Sequence, residues 1–204
     1  MSGEPLIKKQ PTKKEQVKSE HNILLLSGSP HAGGNSETLA CQLNKKLSVQ
    51  GINTTYWRLS EHPIAACYNC GGCLKTGSCV VADSWHVLSR HMDTCDALVL
   101  VAPLYFAGPS AHLKAALDRC QSYWARKYRL KEEMPKNRPA YLLVLGEGGD
   151  PFGSSALETI CKSALNCASL RISDERIQRF LEGKLPSSDD VAKFVERLCL
   201  EIDV

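Results

Sequence analysis

Two stretches of the chain, DALVLVA at 96–102 and PAYLLVL at 139–145, are apolar at nearly every position. A strand wetted on one face alternates apolar and polar residues, so runs like these belong to strands covered by helices on both faces. Residues 23–26 read as a buried first strand and 54–59 as a second, with a weaker fifth at 169–172. Helical spacing fills the gaps: 36–50, stopped by Gly51; 84–92, capped by Asp83; then 110–121, 154–165 and 187–200. This alternation implies an α/β fold with a doubly wound, five-stranded parallel sheet. Ligands of such sheets gather at the carboxyl ends of the strands, beside the point where strand order reverses.

A chain of 204 residues with 43% hydrophobic content can bury one substantial core. Its net charge of +3 is too small to point to nucleic acid, and residues 1–20 account for most of it, with five lysines against three glutamates. That segment has almost nothing apolar to bury and is expected to be a disordered extension, leaving 21–204 as the single domain. No apolar stretch reaches the length of a membrane span and no signal-peptide core is present, so a soluble, cytoplasmic protein is expected, with no membrane partner.

After the first strand comes Ser27-Gly28-Ser29-Pro30-His31-Ala32-Gly33-Gly34, a loop of small residues leading into a helix that Asn35 and Ser36 are placed to cap. Glycines let backbone N–H groups approach an anion, and the start of a helix adds unpaired donors and the positive end of a dipole. The same residues could form an ordinary strand-to-helix link. The spacing excludes two other phosphate loops, since neither G-x-x-x-x-G-K-[ST] nor G-x-G-x-x-G is present.

Gly28 to Ser36 resembles the G-S-P-[RH]-x-x-G-N-[ST] loop of the flavodoxin-like NADPH-dependent FMN reductases, and the resemblance extends along most of residues 22–175. Pro103-Leu104-Tyr105-Phe106 is similar to the family's P-[LIV]-Y-[FW] segment, which lies along the flavin ring, and 114–119 fits its K-x-x-x-D-R pattern. The resemblance implies a flavodoxin-like fold and bound FMN, with Ser29, His31, Asn35, Ser36 and Glu37 on the phosphate side. Pro103, Leu104, Tyr105, Phe106 and Gly148 would stand beside the ring. Phe106 could equally pack inward, and the glycine-rich loop at 146–153 could simply be a tight turn. The implied activity is oxidoreduction, in which electrons from NAD(P)H or ferredoxin pass through FMN to a quinone, a flavin, oxygen or a cluster. The flavin does the chemistry, so no catalytic side chain is nominated.

Four of the ten cysteines, Cys67, Cys70, Cys73 and Cys79, fall within thirteen residues. Zinc sites usually split into two separated C-x-x-C pairs, whereas C-x-x-C-x-x-C suits one loop wrapped around an iron–sulfur cubane. The spacing resembles the C-x2-C-x2-C-x(4–7)-C motif of the iron–sulfur flavoprotein branch of this family, which implies a [4Fe–4S] cluster near the FMN. Free thiols or a thiol–disulfide pair are the other readings. The remaining six cysteines read as small buried side chains, and Lys114, Asp118 and Arg119 as packing or subunit contacts.

Family members are commonly homo-oligomers, and 123–128, YWARKY, is an aromatic and basic stretch suited to an interface. Two other functions fit the same residues: a flavodoxin-like electron carrier without turnover, and a redox or metal sensor built on the cysteine loop.

Overall fold

The computed structural model describes residues 21–202, so the expected extension over 1–20 lies outside the described residues. Along the chain it forms β1 (Asn22–Ser27), α1 (Asn35–Val49), β2 (Asn53–Arg58), α2 (Cys73–Thr76), α3 (Trp85–Thr94), β3 (Ala97–Tyr105) and β4 (Gly108–Pro109). There follow α4 (Ala111–Arg119), α5 (Gln121–Trp124), β5 (Arg138–Leu145), α6 (Ser155–Cys167), β6 (Leu170–Arg171), β7 (Ile177–Phe180) and α7 (Ser188–Ile202).

Period-two alternation explains why the third run is apolar throughout. On β3, Leu98, Leu100 and Ala102 pack into one core with Trp85, Leu113 and Leu157, while Ala97, Val99 and Val101 pack into the opposite core with Leu39 and Phe194. Helices α3, α4 and α6 cover the first face, and α1 and α7 the second. The parallel order is β2-β1-β3-β5, with a fifth position beyond β5, so strand order reverses between β1 and β3.

The fifth position is split, which corrects the expected strand over 169–172. Leu170 pairs with Arg138 at the start of β5, then Ile177 to Phe180 pair with Leu142 to Leu145 at its end. Just before β6, Ser169 takes a φ of 58°, and between the two strands Asp174–Arg176 form a 3-10 turn. At this edge of the sheet β7 carries polar Gln178 and Arg179, so it lacks the unbroken apolar signal of β3.

Three other boundaries move. Helix α1 starts at Asn35 behind an extended Gly34, so neither Asn35 nor Ser36 is the cap. Strand β3 continues through Pro103, Leu104 and Tyr105, where a loop was expected, and folds back on β4 as a hairpin. Its two turn residues, Phe106 and Ala107, have φ of 49° and 58°. Both positive values mark a primed turn, a geometry that normally selects Asn or Gly. Past Arg119 the chain stays helical through α5 and a π turn over Ala125–Arg129; Tyr123 is thereby buried, while Trp124 and Tyr128 remain exposed. Among the described residues no helix is long and apolar enough to cross a membrane.

Candidate functional site

The carboxyl ends of β1, β3, β5 and β7 enclose a cleft of about 160 Å³. One wall is the loop after β1, with Ser29, His31, Gly34, Asn35 and Ser36. Pro103, Leu104 and Tyr105 form the second. The third combines Gly146 and Glu147 with Phe180, Gly183 and Lys184. The structure thus brings together seven of the residues singled out in the sequence.

Backbone contacts shape the first wall. Gly28 N–H donates to the Val101 carbonyl at 2.8 Å, and its own carbonyl accepts from the Ser110 hydroxyl at 2.7 Å. A Cβ on Gly28 would stand 2.9 Å from Leu113 Cδ2 and 3.3 Å from the Val101 carbonyl oxygen, so this glycine is required by packing against β3 and α4. The Ser29 hydroxyl donates to the His31 carbonyl at 2.9 Å and accepts from His31 N–H at 3.2 Å, closing a tight turn. Gly34 has no side chain with which to cap α1, so the first-turn N–H groups open on the cleft.

Glu37 does not line the cleft. Its carboxylate lies buried behind the loop, accepting from the Ser27 hydroxyl at 2.9 Å and from the Tyr56 hydroxyl, with Arg58 Nη1 at 3.6 Å. Burial, followed by the Glu37 hydrogen bond, pushes the Tyr56 hydroxyl far above its ordinary value and keeps it a donor. This first-turn acid is therefore engaged behind the loop, outside the cleft lining.

Phe106 and Gly148 also stand outside the lining. Phe106 is fully exposed at the hairpin tip and packs neither inward nor against the cleft. Gly148 has a φ of 83°, and a Cβ there would lie 2.6 Å from the Leu181 carbonyl oxygen, so close backbone packing is what requires it. Gly146 N–H donates to Phe180 at 3.0 Å and Gly183 N–H to Gly146 at 2.9 Å, tying the third wall together. Phe180, Gly183 and Lys184 escaped the sequence reading, in which Glu147 stood only as part of the glycine-rich loop; among these the lysine near a glycine turn offered a signal. An uncapped helix start, a rim cation and a flat side of Leu104 and Tyr105 fit a planar ligand that bears a phosphate.

The loop between β2 and α3 gathers all four candidate cysteines around a second cavity of about 30 Å³, with Arg119 and Gln121. Cys70 is exposed; Cys67, Cys73 and Cys79 are half-buried, and none of the four is bridged. Left-handed Asn69 and Gly71 turn the chain between the first three, while Gly77 ends α2. Burial, then neighbouring Cys79, pushes the Cys73 thiol up. Among the described residues no group of three or more His, Cys, Asp or Glu is placed to hold a metal ion. A cluster separates its ligands more widely than one ion does, and a cavity lined by all four cysteines is compatible with one.

Arg119, which the sequence left to packing, is buried at this cavity. Its Nη1 donates to Asp83 Oδ2 at 2.9 Å and to the Ala65 carbonyl at 3.0 Å. Nη2 donates to Asp83 Oδ1 at 3.1 Å and to the Val81 carbonyl at 3.3 Å. Asp83 also accepts from Ala65 N–H at 2.9 Å and, at the start of α3, from Trp85 N–H at 3.0 Å. Burial opposes ionisation of Asp83, yet Arg119 and these amides hold its carboxyl below the usual value. Of the other six cysteines, Cys95, Cys120 and Cys161 are buried as expected, whereas Cys41, Cys167 and Cys199 are only partly so.

A family model described as NADPH-dependent FMN reductase matches residues 21–168. The chain is similar to the iron–sulfur flavoprotein MJ1083 of Methanocaldococcus jannaschii, 31% identical over 97 residues that make up 48% of this chain and 50% of that protein. An iron–sulfur flavoprotein of Archaeoglobus fulgidus is 29% identical over 135 residues, 66% of each chain. The chain thus spans between about half and two thirds of the length of the curated relatives it matches. Among solved structures, the apo form of an NADH:FMN oxidoreductase covers 89% of each chain with a TM-score of 0.57 at 15% identity. FerB, an NAD(P)H:(acceptor) oxidoreductase of Paracoccus denitrificans, covers 90% of this chain and 96% of its own with a TM-score of 0.60 at 12% identity. At such identities these structures bear on the fold alone, and it is flavodoxin-like. Phe180, Gly183 and Lys184 lie beyond the residues that the family model matches.

Proposed function

Because the chain belongs to the NADPH-dependent FMN reductase family, we propose that it is an FMN-dependent oxidoreductase. It takes electrons from NAD(P)H, or from a ferredoxin, and delivers them to a quinone, a second flavin, oxygen or a cysteine-held cluster. Bound FMN would supply the redox chemistry, accepting a pair of electrons and releasing them onward. The chain's own residues bind and orient it. The first-turn N–H groups of α1 and the Ser36 hydroxyl receive the phosphate, helped by the helix dipole and by Lys184 at the rim. Leu104 and Tyr105 give the ring a flat apolar neighbour, and backbone groups near Gly146 face its polar edge.

One observation carries this reading: an uncapped helix start opens into a cleft enclosed by the carboxyl ends of β1, β3, β5 and β7, at the reversal of strand order. Cys67, Cys70, Cys73 and Cys79 form a second centre that would hold a [4Fe–4S] cluster, and their unbridged thiols suit a reducing, cytoplasmic setting. Exposed Trp124 and Tyr128 are the surface we assign to homo-oligomer formation.

Titration of the protein with FMN and with riboflavin tests the cleft. FMN is expected to bind at least tenfold tighter, and equal affinities would overturn the phosphate assignment. Anaerobic mixing with NADPH or NADH then tests turnover: bleaching of the flavin band supports an oxidoreductase. No bleaching with either donor, together with tight FMN binding, would leave an electron carrier.

A further inference from the structure

The cysteine loop runs from the end of β2 to α3 without joining the sheet, yet its two ends are held together. Ala65 precedes Cys67 by two residues, and Val81 and Asp83 follow Cys79 by two and four. Arg119 bonds to all three, and Asp83 bonds back to the Ala65 amide. One guanidinium thus closes a loop that contains all four thiols. Four of its five N–H groups could account for the forked contacts with Asp83 and the carbonyls, but the fifth is different: Nε is buried and has no hydrogen-bond partner among the described residues. A buried donor left unpaired is costly, and here it belongs to a side chain that lines the cysteine cavity.

We propose that Arg119 is the positioning residue of the cysteine centre, clamping the loop through Asp83 and offering its spare Nε–H and its charge to the Cys79 sulfur. This rests on the cluster reading given above. Four thiolates around a cluster bring net negative charge into a partly enclosed pocket, and a fixed cation with an unused donor offsets it. Asp83 and Cys79 are the side chains whose charge the guanidinium feels. Lysine would keep the charge while losing both the planar fork and the Nε–H.

The full chain and its R119K and D83N variants, each reconstituted anaerobically with iron and sulfide, provide the test. FMN content reports the fold, iron and sulfide content the clamp, and the midpoint potential of the cluster the donor. R119K is expected to retain FMN, to hold iron tenfold to a hundredfold less tightly, and to show a more negative cluster potential. D83N loosens the loop but keeps the Nε–H and removes a nearby negative charge, so it loses iron while its potential moves positive. A merely structural clamp would lower iron in both variants and leave both potentials at the wild-type value, which would overturn the assignment. Should R119K fail to retain FMN, D83N decides alone, because an unmoved or more negative potential there overturns the proposal. Wild-type protein that takes up no iron overturns the cluster reading and this assignment with it, whereas iron-loaded wild type beside unmoved variants overturns only the role of Arg119.

Discussion

The loop after β1, proposed as the phosphate loop, and the cysteine loop both leave the carboxyl edge of the sheet, but they are held by different means. The first is anchored by backbone and packing: Gly28 bonds to Val101, packs on Leu113 and receives the Ser110 hydroxyl, all on neighbouring core elements. The second is closed by side chains, through one buried ion pair between Arg119 and Asp83. A backbone-held loop depends little on any one residue's charge, whereas a loop held by an ion pair fails when either partner is lost.

The strongest way to break this comparison is Asp83→Ala, which leaves the Arg119 guanidinium buried without its carboxylate. Removing one partner of a buried pair costs about 3–5 kcal/mol. Thermal melting is expected to show that loss, and hydrogen exchange to place it at 59–84, with FMN affinity little changed. Exchange that rises equally around the phosphate loop would erase the distinction.

Next in size is Ser29→Asp. A carboxylate about 4 Å from the phosphate at an effective dielectric of about 20 opposes it by about 4 kcal/mol before screening, so FMN affinity is expected to fall at least a hundredfold. Riboflavin affinity and iron uptake should hardly move. Fluorescence titration with both flavins measures this directly.

What the sequence made legible follows the same division. The loop after β1 and the turn into the cleft at Leu104 and Tyr105 are contiguous stretches, so their residue pattern carries their geometry. The third wall is not contiguous: Lys184 and Gly183 reach the cleft only because β7 pairs with β5, and β7 gives little signal because Arg179 on this edge strand points to Glu158 instead of into a core. Arg119 was visible as part of a charged helix pattern, but its Asp83 partner is 36 residues away and nothing local joins them. The cap on α1 was misread because Asn and Ser are good caps in general, whereas an extended glycine leaves donors open for a ligand.

A smaller effect is expected from Gly148→Ala. The left-handed φ and the Leu181 carbonyl oxygen 2.6 Å from the new Cβ force strain or movement of the third wall. A loss of about 1–3 kcal/mol follows, with weaker FMN binding and an unaffected cysteine centre, readable by denaturation and by flavin release.

The smallest effect sharpens the comparison through pH. Arg179, bonded to Glu158 at 2.6 and 2.7 Å, is the main cause that holds this carboxyl below its ordinary 4.5, against its burial, with Ser154 helping. A lowered folded pKa gives stability that is complete above the unfolded value and is lost as pH falls through the folded one. Glu158→Gln should therefore flatten the acid limb of a melting curve by less than about 1 kcal/mol, because Arg179 is half-exposed. The Asp83 carboxyl, also lowered, obeys the same sign, so the cysteine loop should likewise lose protection as pH falls through the acid range.

Helix α4 belongs to both loops. At its start the Ser110 hydroxyl grips the phosphate loop at Gly28, and at its end Arg119 grips the cysteine loop, nine residues further on. At 1.5 Å per residue, those two grips stand about 13 Å apart along a rigid rod. The helix therefore acts as a ruler between two sites whose own loops could each shift. The proposed transfer of electrons between the two centres needs that gap constant more than it needs either loop rigid, and a single helical span sets it.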